Sequence, residues 1–202
     1  MKTLLFIYLQ LLLLLSLIIG RVVKVEYLHL VVEVEPSTIT ESCLSDGIDG
    51  YSGSFYLNTT FAELMLKEHN NKRKLHQSCP LKWSSELFNY ASQFAAEYSC
   101  SGILQHSGGK YGENLAFGYS PIGAIEAWYD EGEMYVYGSE NVYNHFTAIV
   151  WNNTNSLGCA YKSCDTTTNL NALYIVCSYY PPGNVIGYSS QNVFPLNSKM
   201  VN

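Results

Sequence analysis

The run His145-Phe146-Thr147-Ala148-Ile149-Val150-Trp151 decides how the later part of the chain is read. It is rich in β-branched and aromatic residues, so it reads as a strand. His145, Thr147, Ile149 and Trp151 share one face of that strand, and Phe146, Ala148 and Val150 share the other. Both faces are apolar, and a strand of this kind lies between two layers. Leu157 to Tyr161 and Ala172 to Tyr179 are further short runs of β-branched and aromatic residues, set apart by Asn, Ser, Thr and Gly.

The stretch before His145 has a different period. Phe61 to Leu75 reads as a helix, with Phe61, Leu64 and Met65 at helical spacing and Thr60 as its N-cap. Trp83 to Tyr98 is the clearest helix: Trp83, Leu87, Tyr90, Ala91, Phe94, Ala95 and Tyr98 form one stripe. Ser120-Pro121 supplies a cap and a first-turn proline for a third, with Ile122, Ile125 and Tyr129 facing inward and Gly132 as its stop. Helices first and strands after imply an α+β sandwich.

Bulk composition narrows the class. The chain has 202 residues and a formal charge of -6, with 11 basic residues scattered along it. That is enough for one domain with a full core, and no basic stripe suited to nucleic acid is present. Seventeen tyrosines and few charged residues fit an ordered extracellular domain. Residues 1–20 read as a secretory signal peptide: Lys2 precedes an apolar run from Leu4 to Ile19 broken only by Gln10 and Ser16. An uncleaved anchor is the alternative, although the run is short for a membrane span. Residues 21–60 read as a leader or loose arm rich in Ser, Thr and Gly, and Phe194 to Asn202 lacks the apolar tail of a GPI anchor. The start of the mature chain is left open, as is the oligomeric state.

Six cysteines, Cys43, Cys79, Cys100, Cys159, Cys164 and Cys177, behind a signal peptide favour a disulfide framework. Counting alone leaves about 15 pairings. Asn58-Thr59-Thr60 and Asn152-Asn153-Thr154 are N-glycosylation sequons.

Residues able to bind metal or move protons cluster in sequence. His106 opens His106-Ser107-Gly108-Gly109-Lys110-Tyr111-Gly112-Glu113-Asn114, Glu131 closes Trp128-Tyr129-Asp130-Glu131, and His145 opens the run quoted first. Imidazole and carboxylate bind divalent ions and titrate near neutrality. In apolar surroundings these four point to one shared polar site. For Glu113 a second reading stands beside this: the Gly-Glu-Asn turn needs a carboxylate to satisfy buried backbone groups. His69 and His76, on or just after the first helix, read as packing or surface residues. His29 lies in the leader and carries no assignment.

These stretches occur in one order. Leu66-Lys67-Glu68-His69-Asn70-Asn71-Lys72-Arg73 is followed by Leu81-Lys82-Trp83. Then come His106-Ser107, Gly112-Glu113-Asn114-Leu115-Ala116, Trp128-Tyr129-Asp130-Glu131 and His145 to Trp151. Cys177-Ser178-Tyr179-Tyr180-Pro181-Pro182-Gly183-Asn184-Val185-Ile186-Gly187 closes the set. Over residues 61–196 the set resembles the CAP superfamily of cysteine-rich secretory proteins, antigen 5 and plant pathogenesis-related protein 1. The Gly183 to Gly187 ending and the Ser/Thr arm are most similar to the fungal "pathogen-related in yeast" branch. The resemblance departs in two places: Asn144 stands where the family usually has Gly, and Glu133 to Gly138 replaces a Pro-Gly-Phe stretch.

The resemblance implies a three-layer α-β-α sandwich over 61–196, with 197–202 as a tail. It implies a cavity tetrad of His106, Glu113, Glu131 and His145. His106 and His145 would be ligands for a divalent metal, zinc or magnesium, that is not essential. It also implies the disulfides Cys100–Cys164 and Cys159–Cys177, which leaves Cys43 and Cys79 for each other. Its function is extracellular binding and export of sterols and other small lipids, without catalysis. The residues implicated lie in the loop Gly132 to Asn144, here Met134, Tyr135, Val136, Tyr137 and Tyr143 flanked by Gly132 and Gly138. Two other functions stand beside this one. The first is a surface interaction or virulence factor that engages host or cell-wall molecules. The second is a metal-dependent hydrolase using the tetrad, although no His-Glu-x-x-His helix and no Gly-x-Ser-x-Gly elbow is present.

Overall fold

A computed structural model describes residues 53–164 and 172–197. The signal peptide, most of the 21–60 arm, His29 and Cys43 lie outside the described residues. The first helix, α1, runs Thr59–Leu75. Its cap is Asn58, not Thr60: the Asn58 side-chain oxygen accepts from the Phe61 amide at 3.1 Å. Its inward stripe is Phe61, Ala62, Met65, Leu66, His69 and Arg73. A two-residue strand β1, Lys82–Trp83, precedes α2, Ser85–Glu97, which Ser84 caps. Trp83 therefore heads a strand instead of the helical stripe. Helix α3, Pro121–Asp130, starts with the expected Ser120 cap and first-turn proline. It buries Ala124, Ile125 and Trp128, whereas Ile122 is exposed.

The run His145 to Trp151 is a helix, not a strand. Helix α4 spans His145–Val150. Asn144 starts it with a capping box: its side chain accepts from the Thr147 amide at 3.0 Å, and the Thr147 hydroxyl accepts from the Asn144 amide at 2.9 Å. A short run apolar in every direction fits a buried helix as well as a buried strand, and local periodicity does not separate them. Here the cap and the surrounding layers select the helix, with Phe146 to Val150 all buried.

The sheet is completed by β2 (Gly112–Phe117), β3 (Ser156–Cys164) and β4 (Ala172–Tyr180) in the order β1-β3-β4-β2. Among the described residues only the β1–β3 pair is parallel. Helix α2 packs on β3 and β4, while α1, α3 and α4 pack on one another and on the sheet. This is the expected α-β-α sandwich. At Gly158 an added Cβ would stand 2.1 Å from the Phe88 nitrogen, so only glycine lets α2 approach β3 this closely.

Cys159 faces Cys177 across β3 and β4 and is bonded to it, and Cys100 is bonded to Cys164. Both pairings are those the resemblance implied. Cys79 is disulfide-bonded as well, and its expected partner Cys43 lies outside the described residues. Closing loops of 64 and 18 residues contributes stability on the order of 3 kcal/mol each.

Three basic side chains of α1 and its cap are buried. The Arg73 guanidinium is fully buried and donates to four carbonyls: Cys79 at 2.8 Å, Ile149 at 2.8 Å, Trp151 at 2.8 Å and Thr154 at 2.7 Å. Burial lowers its pKa to about 9, so it remains charged at neutral pH. His69 donates from Nδ1 to the Met65 carbonyl at 2.7 Å and accepts at Nε2 from the Tyr179 hydroxyl at 2.9 Å. His76 repeats the arrangement with the Phe194 carbonyl and the Tyr129 hydroxyl. Burial favours the neutral ring in both, and the carbonyl at Nδ1 then sets the tautomer.

Arg73→Ala leaves four carbonyls short of a donor, and a loss of at least about 3 kcal/mol in urea unfolding is expected. Acid sensitivity also follows. Burial lowers the His69 pKa from 6.5 to about 4 and shifts His76 in the same direction. Between those values the unfolded chain binds the proton and the native protein does not, so stability falls as pH drops. His69 alone accounts for roughly 3 kcal/mol of this loss. Unfolding free energies measured from pH 7.5 to 4.5 check the sign, and His69→Gln is expected to flatten the slope.

Candidate functional site

The four predicted residues assemble as two His–Glu pairs. Glu113 stands on β2, where the sheet register sets it opposite Ser178. Its Oε1 accepts from His106 Nδ1 at 2.7 Å and from the Ser107 amide at 2.9 Å. The imidazole is 62% exposed and the carboxylate only 5%. The remaining oxygen, Oε2, is buried without a partner among the described residues, as is the Ser178 hydroxyl. Such groups are scarce in native proteins.

Glu131 follows the last residue of α3 and opens a 3-10 turn, Glu131–Met134. It grips the start of α4 with both oxygens: Oε2 accepts from the His145 amide at 2.8 Å and Oε1 from His145 Nδ1 at 2.6 Å. The His145 ring stacks on Trp128 with centroids 6.1 Å apart and planes inclined by 26°. Both members of this pair are about one-third exposed, at 34% and 36%.

Neighbouring residues of β2 join the pairs. Glu113 holds His106, while the Asn114 side chain donates to the His145 carbonyl at 3.1 Å. Asn184, held at a positive φ of 58°, donates to the Asn144 carbonyl at 3.0 Å, and its Oδ1 lies 2.7 Å from the Thr147 hydroxyl. A cavity of about 220 Å³ opens here, bounded by His106, Glu113, Ala148 and Asn184. His145 and Glu131 stand beside it and do not line it.

Each carboxylate fixes its imidazole with Nδ1–H as donor, which leaves the Nε2 lone pair for an incoming group. That donor set is two nitrogens. It suits zinc better than magnesium, whose ligands are oxygens. No three His, Cys, Asp or Glu side chains among the described residues converge to hold an ion. The Nε2 atoms alone fall short of the three protein ligands usual in catalytic zinc sites.

The predicted loop is split by exposure. Met134 and Val136 project into solvent, 88% and 70% exposed, and Tyr137 is 40% exposed. Tyr135 points inward against Phe146, with ring centroids 5.6 Å apart. Tyr143 donates to the Glu140 carbonyl at 2.6 Å and accepts from the Gly187 amide at 2.9 Å. At Gly132 a Cβ would lie 2.7 Å from the Phe146 ring, so glycine is needed for close approach. Gly138 turns the chain at φ +86°. Of the sequon residues, Asn58 caps α1, and the Thr154 hydroxyl donates to the Pro181 carbonyl at 2.9 Å.

Sequence reasoning missed Asn114, Asn184 and Glu140. It marked Asn144 only as a departure from the family pattern. The Asn-x-x-Thr spacing of Asn144 and Thr147 was the available signal, since it is a capping pattern. Asn144→Ala is expected to cost about 1 kcal/mol in stability. It is also expected to speed amide exchange at His145, the residue Glu131 holds; unchanged exchange there would reject Asn144 as the organiser of α4.

Comparison with known proteins identifies the family. The family model described as "Cysteine-rich secretory protein family" matches residues 66–179. "Secreted protein RBT4" of Candida albicans is 50% identical over 158 residues, covering 76% of this chain and 43% of that protein. "Protein PRY2" of Saccharomyces cerevisiae is 47% identical over 140 residues, covering 67% and 42%. The chain thus matches less than half the length of these curated relatives. Among solved structures, Schistosoma mansoni venom allergen-like protein 4 superposes with a TM-score of 0.52 at 22% identity, covering 69% of this chain and 96% of that one. The matched motifs and the sandwich built from them place this chain in the CAP family of cysteine-rich secretory proteins.

Proposed function

We propose that the protein acts outside the cell as a non-catalytic binder of sterols or other small lipids, in lipid export or virulence. The observation that carries this reading is the Gly132 to Asn144 loop. Its base is fixed and its apolar side chains are displayed. Glu140 accepts from the Ser189 and Ser190 amides at 2.8 and 2.9 Å, so the loop is pinned to the segment after β4. Tyr135 and Tyr143 anchor it from within. Met134, Val136 and Tyr137 then stand in solvent, and Val185 and Ile186 of the segment after β4 are exposed as well. Apolar groups held out by a rigid frame lose little entropy when a rigid apolar ligand covers them. Full burial of one such side chain is worth about 1.5–3 kcal/mol.

Secretion is supported by the relatives' names, since RBT4 and a PRY1 protein of Candida albicans are each called secreted. No helix among the described residues is long and apolar enough to cross a membrane. The five described cysteines are all disulfide-bonded, so none offers a free thiolate nucleophile. A zinc ion, when present, would bind through Nε2 of His106 and His145 and strengthen the frame beneath the loop. The lipid reading does not require it.

Val136→Glu and Tyr137→Asp are each expected to weaken binding of labelled cholesterol at least tenfold, about 1.4 kcal/mol. His106→Ala is expected to leave binding within about twofold of wild type, a change of roughly 0.4 kcal/mol. Normal uptake by both loop variants would reject the loop. Turnover of an ester or peptide that stops with His106→Ala or a chelator would support a hydrolase instead.

A further inference from the structure

A larger pocket, about 480 Å³, lies at the start of α1, away from the tetrad in sequence and lined by different residues. Phe61 and Phe88, both buried, belong to its lining, together with half-buried Phe55 and the exposed rings of Tyr56 and Tyr161. Phe61 and Tyr161 meet edge to face with centroids 4.7 Å apart. The remaining feature is Asn58, which lines the same pocket and opens the Asn58-Thr59-Thr60 sequon. Its Nδ2 lies 3.2 Å from the Tyr161 hydroxyl.

We propose that Asn58 carries an N-linked glycan whose first N-acetylglucosamine occupies this aromatic pocket as part of the fold. The attachment atom already belongs to the pocket wall. Phe55 and Tyr56 precede it by three and two residues, so the sequon brings its own aromatic partners. The C–H face of a pyranose packs on such rings, and its acetamido group finds polar neighbours in the Tyr161 hydroxyl and Ser92. A pocket of this size holds one or two sugar rings. The two roles of Asn58 are compatible, because Oδ1 caps the helix and Nδ2 carries the sugar.

The attachment itself balances simply. Asn58 Nδ2 attacks C1 of the sugar in a polyprenyl-diphosphate-linked oligosaccharide. The N–C1 bond forms, the C1–O bond to diphosphate breaks, and the polyprenyl diphosphate leaves. Nδ2 gives up one proton and keeps the other, which remains available to the Tyr161 oxygen. Transfer acts on the extending chain before α1 exists, so the cap does not block it. This inference rests on passage through the secretory route and is independent of lipid binding by the loop.

The test uses the full chain secreted from a eukaryotic host. Thr60→Ala removes the sequon at an exposed position and leaves the Asn58 cap in place. Glycopeptide mass spectrometry is expected to find Asn58 occupied in the parent and bare in Thr60→Ala. Thr60→Ala is expected to lower Tm by about 2–4 °C. The same substitution made on a Tyr161→Ala background is expected to lower it by less than half as much. Trimming the parent with an endoglycosidase to a single N-acetylglucosamine should leave Tm unchanged. A bare Asn58 in the parent, an equal Tm loss on both backgrounds, or a photoreactive fatty acid labelling Phe55 or Tyr161 in the glycosylated protein would each overturn the proposal. Because cholesterol uptake is read separately, failure here leaves the loop assignment standing or falling on its own data.

Discussion

One buried cation organises the site. Arg73 extends from α1 and is coordinated by carbonyls from three segments: the turn at Cys79, the end of α4, and the bend at Thr154. Helix α4 is only six residues long, far too short to persist by itself in water. It persists because both ends are held. Asn144 and Glu131 satisfy its first amides, and Arg73 takes its last carbonyls, where a positive charge also complements the helix dipole. His145 is the first residue of that helix, so the geometry of the second His–Glu pair depends on a guanidinium that touches neither member.

The histidines divide by environment into two kinds of work. His69 and His76 are buried, neutral and engaged at both ring nitrogens, each joining a carbonyl to a tyrosine hydroxyl. They are structural connectors in α1 and its cap. His106 and His145 are bound at Nδ1 only, and their Nε2 atoms make no hydrogen bond with described residues. These two are available to an exogenous partner. The tetrad and the loop divide in the same manner. One is two His–Glu pairs, of which His106 and Glu113 line a small cavity; the other is an apolar surface pinned from below by Glu140, Tyr135 and Tyr143. That contrast is why the lipid reading is placed on the loop and the metal on the imidazoles.

The sequence was most legible where one signal dominates. The stripes of α1 and α2 and the Ser120-Pro121 start of α3 could be read directly, as could β3 and β4, whose runs alternate with clear breakers. The run at His145 reads as a strand although it is a helix, because it is apolar on every side and only tertiary packing distinguishes a buried helix from a buried strand there. Gly112, Glu113 and Asn114 are poor strand formers and read as a turn; the pairing of β2 with β4 overrides that preference. The four tetrad residues are legible from their chemistry in apolar sequence, whereas their pairing and both described disulfides are not, since residue spacing alone does not pair cysteines or bring His106 next to Glu113. Asn114, Asn184 and Arg73 were invisible for the same reason. Each works through a backbone carbonyl far away in sequence, and carbonyls leave no trace in a residue string.

The central claim is that a rigid sandwich holds out an apolar loop for a lipid. Its most direct test is solvent extraction of the protein purified from a secreting culture, followed by mass spectrometry of the extract. The account predicts a sterol or similarly sized lipid at near-stoichiometric amounts, carried by the folded protein and released on acid unfolding. An extract free of lipid, from protein that also fails to take up cholesterol when it is offered, would contradict it.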